Sequence, residues 1–321
     1  MTGAAGFIGS NLLEELLKRG YEVLGIDNMS HAHPRNIKNF KLGKNFTFIR
    51  GDITNKKIFE HISNIDSIIH LAALKIPKFG GVIKTMEVNA QGTKNVLEFA
   101  KKHKTKVIFS SSSDVYGMAH VPFKEDTNLV LGSSKVKRWC YSASKLFDEH
   151  LCFGYYYEER VPVVIMRFFN VYGPRNLEPE KKNRWFGGPF PVFIEAALDN
   201  EPIVVHGSGR QLRAFTYVSD AVDGIMRCLE IDAAIGDIFN IGNIKEYAIL
   251  DVAKMIKNRV QSDSKIIFVK HEKLFGKYDE VERRIPDIKK SENVLGFKAK
   301  IGIDEGLDKT IEWHRSLREN K

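Results

Sequence analysis

Long apolar runs are missing from this sequence. None approaches the roughly 18 residues that a bilayer-spanning helix needs, so no membrane segment is expected. Cysteine is scarce. Cys140, Cys152 and Cys228 are the three, and none has metal-ligand spacing. An odd, unclustered set argues against a disulfide framework or a bound metal and fits reduced thiols in a cytoplasmic protein. No secretory leader is visible, since the chain opens directly on a glycine motif. Repeats and low-complexity tracts are also lacking.

Charge is unbalanced, but no basic block carries the excess. The net charge is +9, with lysines spread along all 321 residues and small clusters at Lys101-Lys102 and Lys181-Lys182. No basic stripe interleaved with aromatics appears, so a nucleic-acid partner is not expected. The composition, 43% hydrophobic and 28% charged, is that of a soluble globular protein large enough for a good core.

The first half alternates apolar runs with amphipathic stretches. Glu22 to Asp27, Phe46 to Ile49, Ser67 to Leu71, Val107 to Ser110 and Val163 to Arg167 read as strands. Asn11 to Arg19, Thr85 to Lys102 and Ser142 to Glu158 read as helices. This alternation predicts right-handed crossovers and an α/β doubly wound parallel sheet. After about Asn170 the pattern loosens. Helices at Pro191 to Asp199, Ser219 to Glu230 and Ile249 to Val260 alternate with Gly- and Pro-containing loops, which suggests a smaller C-terminal lobe.

Gly3-Ala4-Ala5-Gly6-Phe7-Ile8-Gly9 runs straight into a helical pattern. Glycines let the backbone approach a pyrophosphate, and a helix N-terminus offers unpaired N–H groups. Asp27 ends the next strand, where a carboxylate accepts from a ribose diol and repels a 2′-phosphate, favouring NAD over NADP. Asp52 follows the strand after that, placed to meet adenine or to make a turn. The fold needs a strand ahead of Gly3, yet only Met1 and Thr2 precede it. Residues upstream of Met1 are therefore expected to complete that central strand.

Tyr141 and Lys145 are four positions apart, a spacing that puts phenol and ammonium on one helix face. A nearby cation draws a tyrosine pKa down towards neutrality, and a phenolate is a competent base for a sugar hydroxyl. Many such spacings are ordinary helix surface. The run Ser110-Ser111-Ser112-Ser113-Asp114 ends an apolar strand, the position where ligands bind in open α/β sheets.

Together these segments resemble the extended short-chain dehydrogenase/reductases, in their NAD-dependent nucleotide-sugar epimerase/dehydratase branch. Matching residues include the glycine loop, His70-Leu71-Ala72-Ala73, Asn89-Ala90-Gln91-Gly92-Thr93, Val115-Tyr116-Gly117, Tyr141 to Lys145, Arg167 to Arg175, Gly207 to Asp220 and Phe239-Asn240-Ile241-Gly242. The resemblance runs in order over nearly the whole chain. It implies a Rossmann domain over residues 1–170 that binds NAD, and a nucleotide-sugar-binding lobe over residues 171–321, with some segments exchanged between them.

The resemblance also implies residue roles. Gly3, Gly6, Phe7, Ile8, Gly9, Asp27, Asn28, Asp52, Ile53, Leu71, Ala72 and Ala73 would line the cofactor, together with Tyr141 and Lys145. Tyr141 would take the proton of the sugar 4-hydroxyl and Ser112 would hydrogen-bond that hydroxyl, beside Ser113. Lys145 would hold the nicotinamide ribose and lower the tyrosine pKa. Asn170 and Arg213 would sit near the phosphates of a UDP-sugar. A homodimer through the helices around Thr85 to Lys102 and Ser142 to Glu158 is expected on the same ground.

The net reaction stays open. Asp114 stands where dehydratases and uronate decarboxylases of the family carry Glu, and is either a proton-transfer acid or a turn-capping residue. Glu125 to Gly132, Arg138-Trp139 and Tyr278 to Ile288 resemble UDP-glucuronate decarboxylases, in which the arginine matching Arg284 lies at the active site. Arg284 either meets a sugar carboxylate or clamps the nucleotide. Arg167 to Tyr172 and Asp27-Asn28 resemble 4-epimerases. The reading placed first is 4-epimerisation of a UDP-hexose or UDP-hexuronate through a 4-keto intermediate. The alternatives are UDP-glucuronate decarboxylation, then 4,6-dehydration, then a non-catalytic NAD- or RNA-binding member. Ser113 disfavours dehydration, because sugar dehydratases often carry an acid there.

Overall fold

The computed structural model describes residues 1–40, 43–75, 77–177, 188–271, 273 and 279–319. Lys181-Lys182 and Tyr278, singled out above, lie outside the described residues.

Helix α1 (Phe7–Lys18) leaves the glycine loop and leads to β1 (Val23–Asp27), α2 (Arg35–Lys38), β2 (Phe46–Arg50) and β3 (Ser67–His70). Then come α3 (Pro77–His103, broken at Gly81), β4 (Lys106–Ser112), α4 (Trp139–Glu159) and β5 (Val163–Phe168). Strands β3, β4 and β5 pair in parallel, with Ser112 opposite Phe168. Strands β1 and β2 pair in parallel beside them. The alternation therefore gives the parallel α/β arrangement that the sequence predicts. Strand β5 is buried at every position and reads as a continuous apolar run apart from Arg167, as a strand covered on both faces must.

Between β1 and β3 lies the amino end. Thr2 bridges Ile26 on one side and His70 on the other. The Met1 ammonium donates to Leu24 O at 2.7 Å, and burial pushes its pKa down to about 5. This short stretch links the two halves of the sheet.

The second half contributes β6 (Val171–Tyr172), α5 (Pro189–Leu198), β7 (Ile203–His206), β8 (Leu212–Ala214), β9 (Thr216–Tyr217) and α6 (Val218–Glu230). After these come β10 (Asp237–Ile241), β11 (Glu246–Ala248), α7 (Ile249–Val260), β12 (Ile266–Val269), β13 (Arg283–Arg284), α8 (Lys289–Leu295) and α9 (Ile303–Glu319). Two of them return to the first layer. Strand β10 pairs in parallel with β5 and extends the main sheet. Helix α6 packs Ala221, Val222 and Ile225 into one core with Leu12, Leu13 and Leu16 of α1. Each such buried aliphatic is worth about 1.5–3 kcal/mol.

The other elements form a separate core. Phe190, Phe193 and Ile194 of α5 meet Val252 and Ile256 of α7 and Leu307 of α9. Three small sheets cover it: β6 with β9, β7 with β12, and β8 between β11 and β13. Among the described residues, no helix is long and apolar enough to cross a membrane.

Candidate active site

A cavity of about 480 Å³ opens along the C-terminal ends of the parallel strands. One end is built by the glycine loop. Gly3 adopts φ +70°, and a Cβ there would meet Ala72 N at 2.8 Å. A Cβ on Gly9 would fall 2.0 Å from Gly3 O, so only glycine lets the first turn of α1 rest on the loop. Ala5 N–H donates to Asp27 Oδ2 at 3.0 Å and Met29 N–H to Oδ1 at 2.8 Å. Burial raises the Asp27 pKa, opposed by these backbone donors. Asn28 Nδ2 donates to Asp52 Oδ2 at 2.9 Å, which ties the ends of β1 and β2 together. The Asp52 carboxylate also accepts from Thr54 N–H, and despite the cost of burial its pKa is lowered.

The middle of the cavity holds the serine strand end and the Tyr141/Lys145 pair. Helix α4 is fixed there by a buried bidentate pair, Arg167 Nε to Glu149 Oε1 at 2.9 Å and Nη2 to Oε2 at 2.6 Å. Ser111 Oγ donates to the same carboxylate. Asn89 of α3 donates to Ser144 Oγ at 2.9 Å and pairs with the Leu74 backbone, joining α3, α4 and the loop after β3. Tyr116 OH donates to Asn240 Oδ1 at 2.8 Å, and Asn240 Nδ2 donates to Phe123 O and Asp287 O. The serine turn is thereby locked to β10 and to the segment leading into α8.

Lys145 Nζ donates to Ser110 O at 2.8 Å and stands 4.5 Å from the Phe109 ring centroid. Burial lowers its pKa, opposed first by Asp148. The Tyr141 phenol departs from the sequence expectation. Burial pushes its pKa well above the usual 10, Asp114 and Asp148 push the same way, and the hydrogen bond with Ser112 opposes them. In this pocket, desolvation and two carboxylates outweigh the lysine.

Asp114 follows at the rim. Ser112 Oγ accepts from Asp114 N–H at 3.2 Å. The carboxylate receives Arg284 Nη1 at 2.5 Å and lies 3.5 Å from Arg138 Nη2. Burial would raise its pKa, but Arg284, Arg138 and Lys75 hold it at about 2. Arg138 is itself braced, donating to Asp279 O and lying 4.5 Å from the ring centroid of Trp139, whose Nε1 donates to Asp279 Oδ2 at 2.8 Å.

Gly3, Gly6, Phe7, Ile8, Gly9, Asp27, Asn28, Asp52, Ile53, Leu71, Ala72, Ala73, Ser112, Ser113, Asp114, Tyr141, Lys145 and Asn170 all line this one cavity. Arg284 and Arg213 stand outside its lining. Arg284 joins it through Asp114, whereas Arg213 Nη2 donates to Glu280 Oε1 at 2.6 Å. Asn170 Nδ2 donates to Ala214 O at 2.9 Å. Sequence reasoning missed Lys75, Lys84, Asn176 and the wall formed by Phe190 and Phe215. Only the folded arrangement brings these to the cavity; no local pattern marks them.

Comparison with known proteins gives matches over nearly the full length. Residues 1–310 match the GDP-mannose 4,6 dehydratase family. The chain is similar to a UDP-N-acetyl-alpha-D-glucosaminuronate decarboxylase of Bacillus cytotoxicus, 38% identical over 99% of this chain and 97% of that protein. It is also similar to UDP-glucuronic acid decarboxylase 1 of Xenopus tropicalis, 33% identical over 100% of this chain and 73% of the relative. Among solved structures it resembles UDP-glucuronic acid 4-epimerase from Bacillus cereus in complex with UDP-glucuronic acid and NAD. That similarity has a TM-score of 0.85 and 32% identity, over 98% of each chain.

Proposed function

Because this chain belongs to the GDP-mannose 4,6 dehydratase family, within the nucleotide-sugar branch of the extended short-chain dehydrogenase/reductases, we propose that it is an NAD-dependent enzyme that decarboxylates a UDP-linked hexuronate through a 4-keto intermediate. The sequence reading put 4-epimerisation first and this reaction second. The observation that reverses the order is the cluster at the end of β4. Arg284 and Arg138 flank one carboxylate, Asp114, close to Tyr141, with Lys75 adding to the positive field. Cations exceed anions there, which suits a sugar carboxylate. Decarboxylase relatives support the same order.

NAD fits the glycine cradle, whose close approaches leave no room for a Cβ, and Asp27 offers its carboxylate to a ribose diol. When bound, NAD accepts and returns the hydrogen of sugar carbon 4 and adds a fixed positive charge near the phenol. Tyr141 takes the proton of the 4-hydroxyl, and Ser112 orients that hydroxyl. The product is a 4-keto sugar with its carboxylate on the neighbouring carbon, a β-keto acid. The bond from carbon 5 to the carboxylate then breaks, carbon dioxide leaves, and the electron pair passes into the carbon 4 carbonyl as an enolate. Proton return to carbon 5 and reduction of carbon 4 complete the cycle. Arg138 and Arg284 hold the carboxylate in one orientation, which favours cleavage over the turning of the ring that 4-epimerisation requires. Two copies pairing through α3 and α4 belong to the same reading, since α4 leaves Phe147 and Tyr157 exposed. Sedimentation of Phe147→Glu as a dimer would count against that pairing.

The reaction is tested by incubating the protein separately with UDP-glucuronate, UDP-N-acetylglucosaminuronate and UDP-glucose, and following products by mass and NMR. Loss of carbon dioxide from a uronate is expected. Unchanged mass with an inverted 4-hydroxyl would select 4-epimerisation, the reading that the Bacillus cereus structure favours. Turnover of UDP-glucose alone would overturn both.

A further inference from the structure

The Tyr141/Lys145 pair has a charged neighbour that the proposed reaction does not use. Asp148 lies three residues beyond Lys145 on α4, so the two share a helix face. It is fully buried, and neither of its oxygens has a hydrogen-bond partner among the described residues. A buried carboxylate left this way is costly and calls for an explanation.

Its surroundings narrow the choice. Lys145, Glu149 and Cys152 face it from its own helix, and Thr93 faces it from α3. Behind Thr93 stands His70 of β3, which burial keeps neutral by pushing its pKa down to about 3. Glu149 is taken up by Arg167 from β5, and the buried Cys152 thiol is held protonated. Lys145 is the cation whose charge reaches Asp148 most strongly.

We propose that Asp148 is a positioning residue, the internal counter-ion that keeps Lys145 an ammonium next to Tyr141. This rests on the reading of Tyr141 as the base. Burial alone drives Lys145 towards the neutral amine, and Asp148 is the first of the groups that resist. Burial likewise raises Asp148 to about 6, so its charge is present above that pH. The same charge pushes the Tyr141 phenol upward. Removing it lowers the pKa of both members of the pair. In a bell-shaped profile set by tyrosine on the acid limb and lysine on the alkaline limb, both limbs move to lower pH. A residue that only fills space would lower the plateau and leave the limbs in place.

The test is Asp148→Asn, read in two ways. The first is the pH profile of turnover on the UDP-hexuronate. The second is the NMR titration of Lys145 in protein carrying lysine labelled at Cε, with Lys145→Arg identifying the resonance. The lysine midpoint is expected to fall by about one pH unit or more, and both limbs of the profile to follow it. An unmoved midpoint overturns the proposal. The lysine titration needs no substrate, so a shifted midpoint without turnover would overturn the assigned reaction and leave Asp148 as described. Should the variant not fold, the unaltered protein supplies the second measurement. Its Lys145 resonance then shows a further inflection near pH 6, where Asp148 titrates; a flat trace there overturns the counter-ion.

Discussion

Arg284 donates from Nη1 to Asp114 Oδ1 at 2.5 Å, joining residues 170 positions apart in the chain. One comes from the end of the central strand and the other from β13, at the far side of the second core. Their meeting assembles the cation cluster at the rim of the cavity. Arg284→Ala is expected to lower kcat/KM on a uronate by about 100-fold, the cost of truncating one side of a buried charge pair. Retained NAD, measured after denaturation, should be unchanged. An unaltered kcat/KM would remove Arg284 from substrate recognition.

Tyr141→Phe removes the acceptor for the 4-hydroxyl proton and keeps the ring. General-base contributions are typically about 100- to 10,000-fold, and kcat is expected to fall by that range with little change in KM. Product formation followed by NMR is the measurement. Near-normal turnover would mean that another group takes the proton.

Gly9→Ala would push a methyl group against Gly3 O, a backbone atom that cannot step aside. Overpacking of this kind costs about 1–3 kcal/mol. A lowered Tm and loss of co-purifying NAD are expected together. A variant that keeps its cofactor would show that the loop relaxes more easily than the geometry implies.

Acid sensitivity should have a specific source in the second core. Burial raises the Glu195 pKa, but hydrogen bonds from His314 and Arg318 of α9 outweigh it and take the group from 4.5 to about 2. A carboxylate depressed on folding stabilises fully above its unfolded pKa, and that stability is lost as the pH falls from about 4.5 towards 2. The contribution is on the order of 2 kcal/mol. Urea titrations at pH 7 and pH 3 should therefore show a smaller difference for Glu195→Gln than for the parent protein. Equal differences would mean that the clamp contributes nothing.

The parallel sheet and the cofactor end of the cavity were legible in the sequence because their signals are local. Gly3, Gly6 and Gly9 lie within one loop and one helical turn, and Asp27 ends the very next strand. The strands were visible as apolar runs because burial on both faces demands them. The rim was less legible for the opposite reason. Arg138, Asp114 and Arg284 meet only after three distant segments have folded, and no spacing announces them as a set. Arg213 shows another limit. Its place in a familiar motif suggested phosphates, whereas in the ligand-free fold it is paired with Glu280. The tyrosine pKa shows a third. Helical spacing brought Lys145 to mind, but desolvation and the carboxylates of Asp114 and Asp148 depend on tertiary packing and push the other way.

Strand β10 follows both α5 and α6 in the chain, yet its partner is β5. During synthesis the ribosome delivers β5 long before the strand that covers it. Until Ile241 emerges, the nascent chain displays an apolar strand with one unpaired edge, the kind of surface that recruits chaperones or sticks to its neighbours. Fragments ending ahead of Asp237 should accumulate as aggregates, and full-length chains should refold with a slow closing step. A soluble, compact fragment ending there would show that the nascent edge is protected by other means.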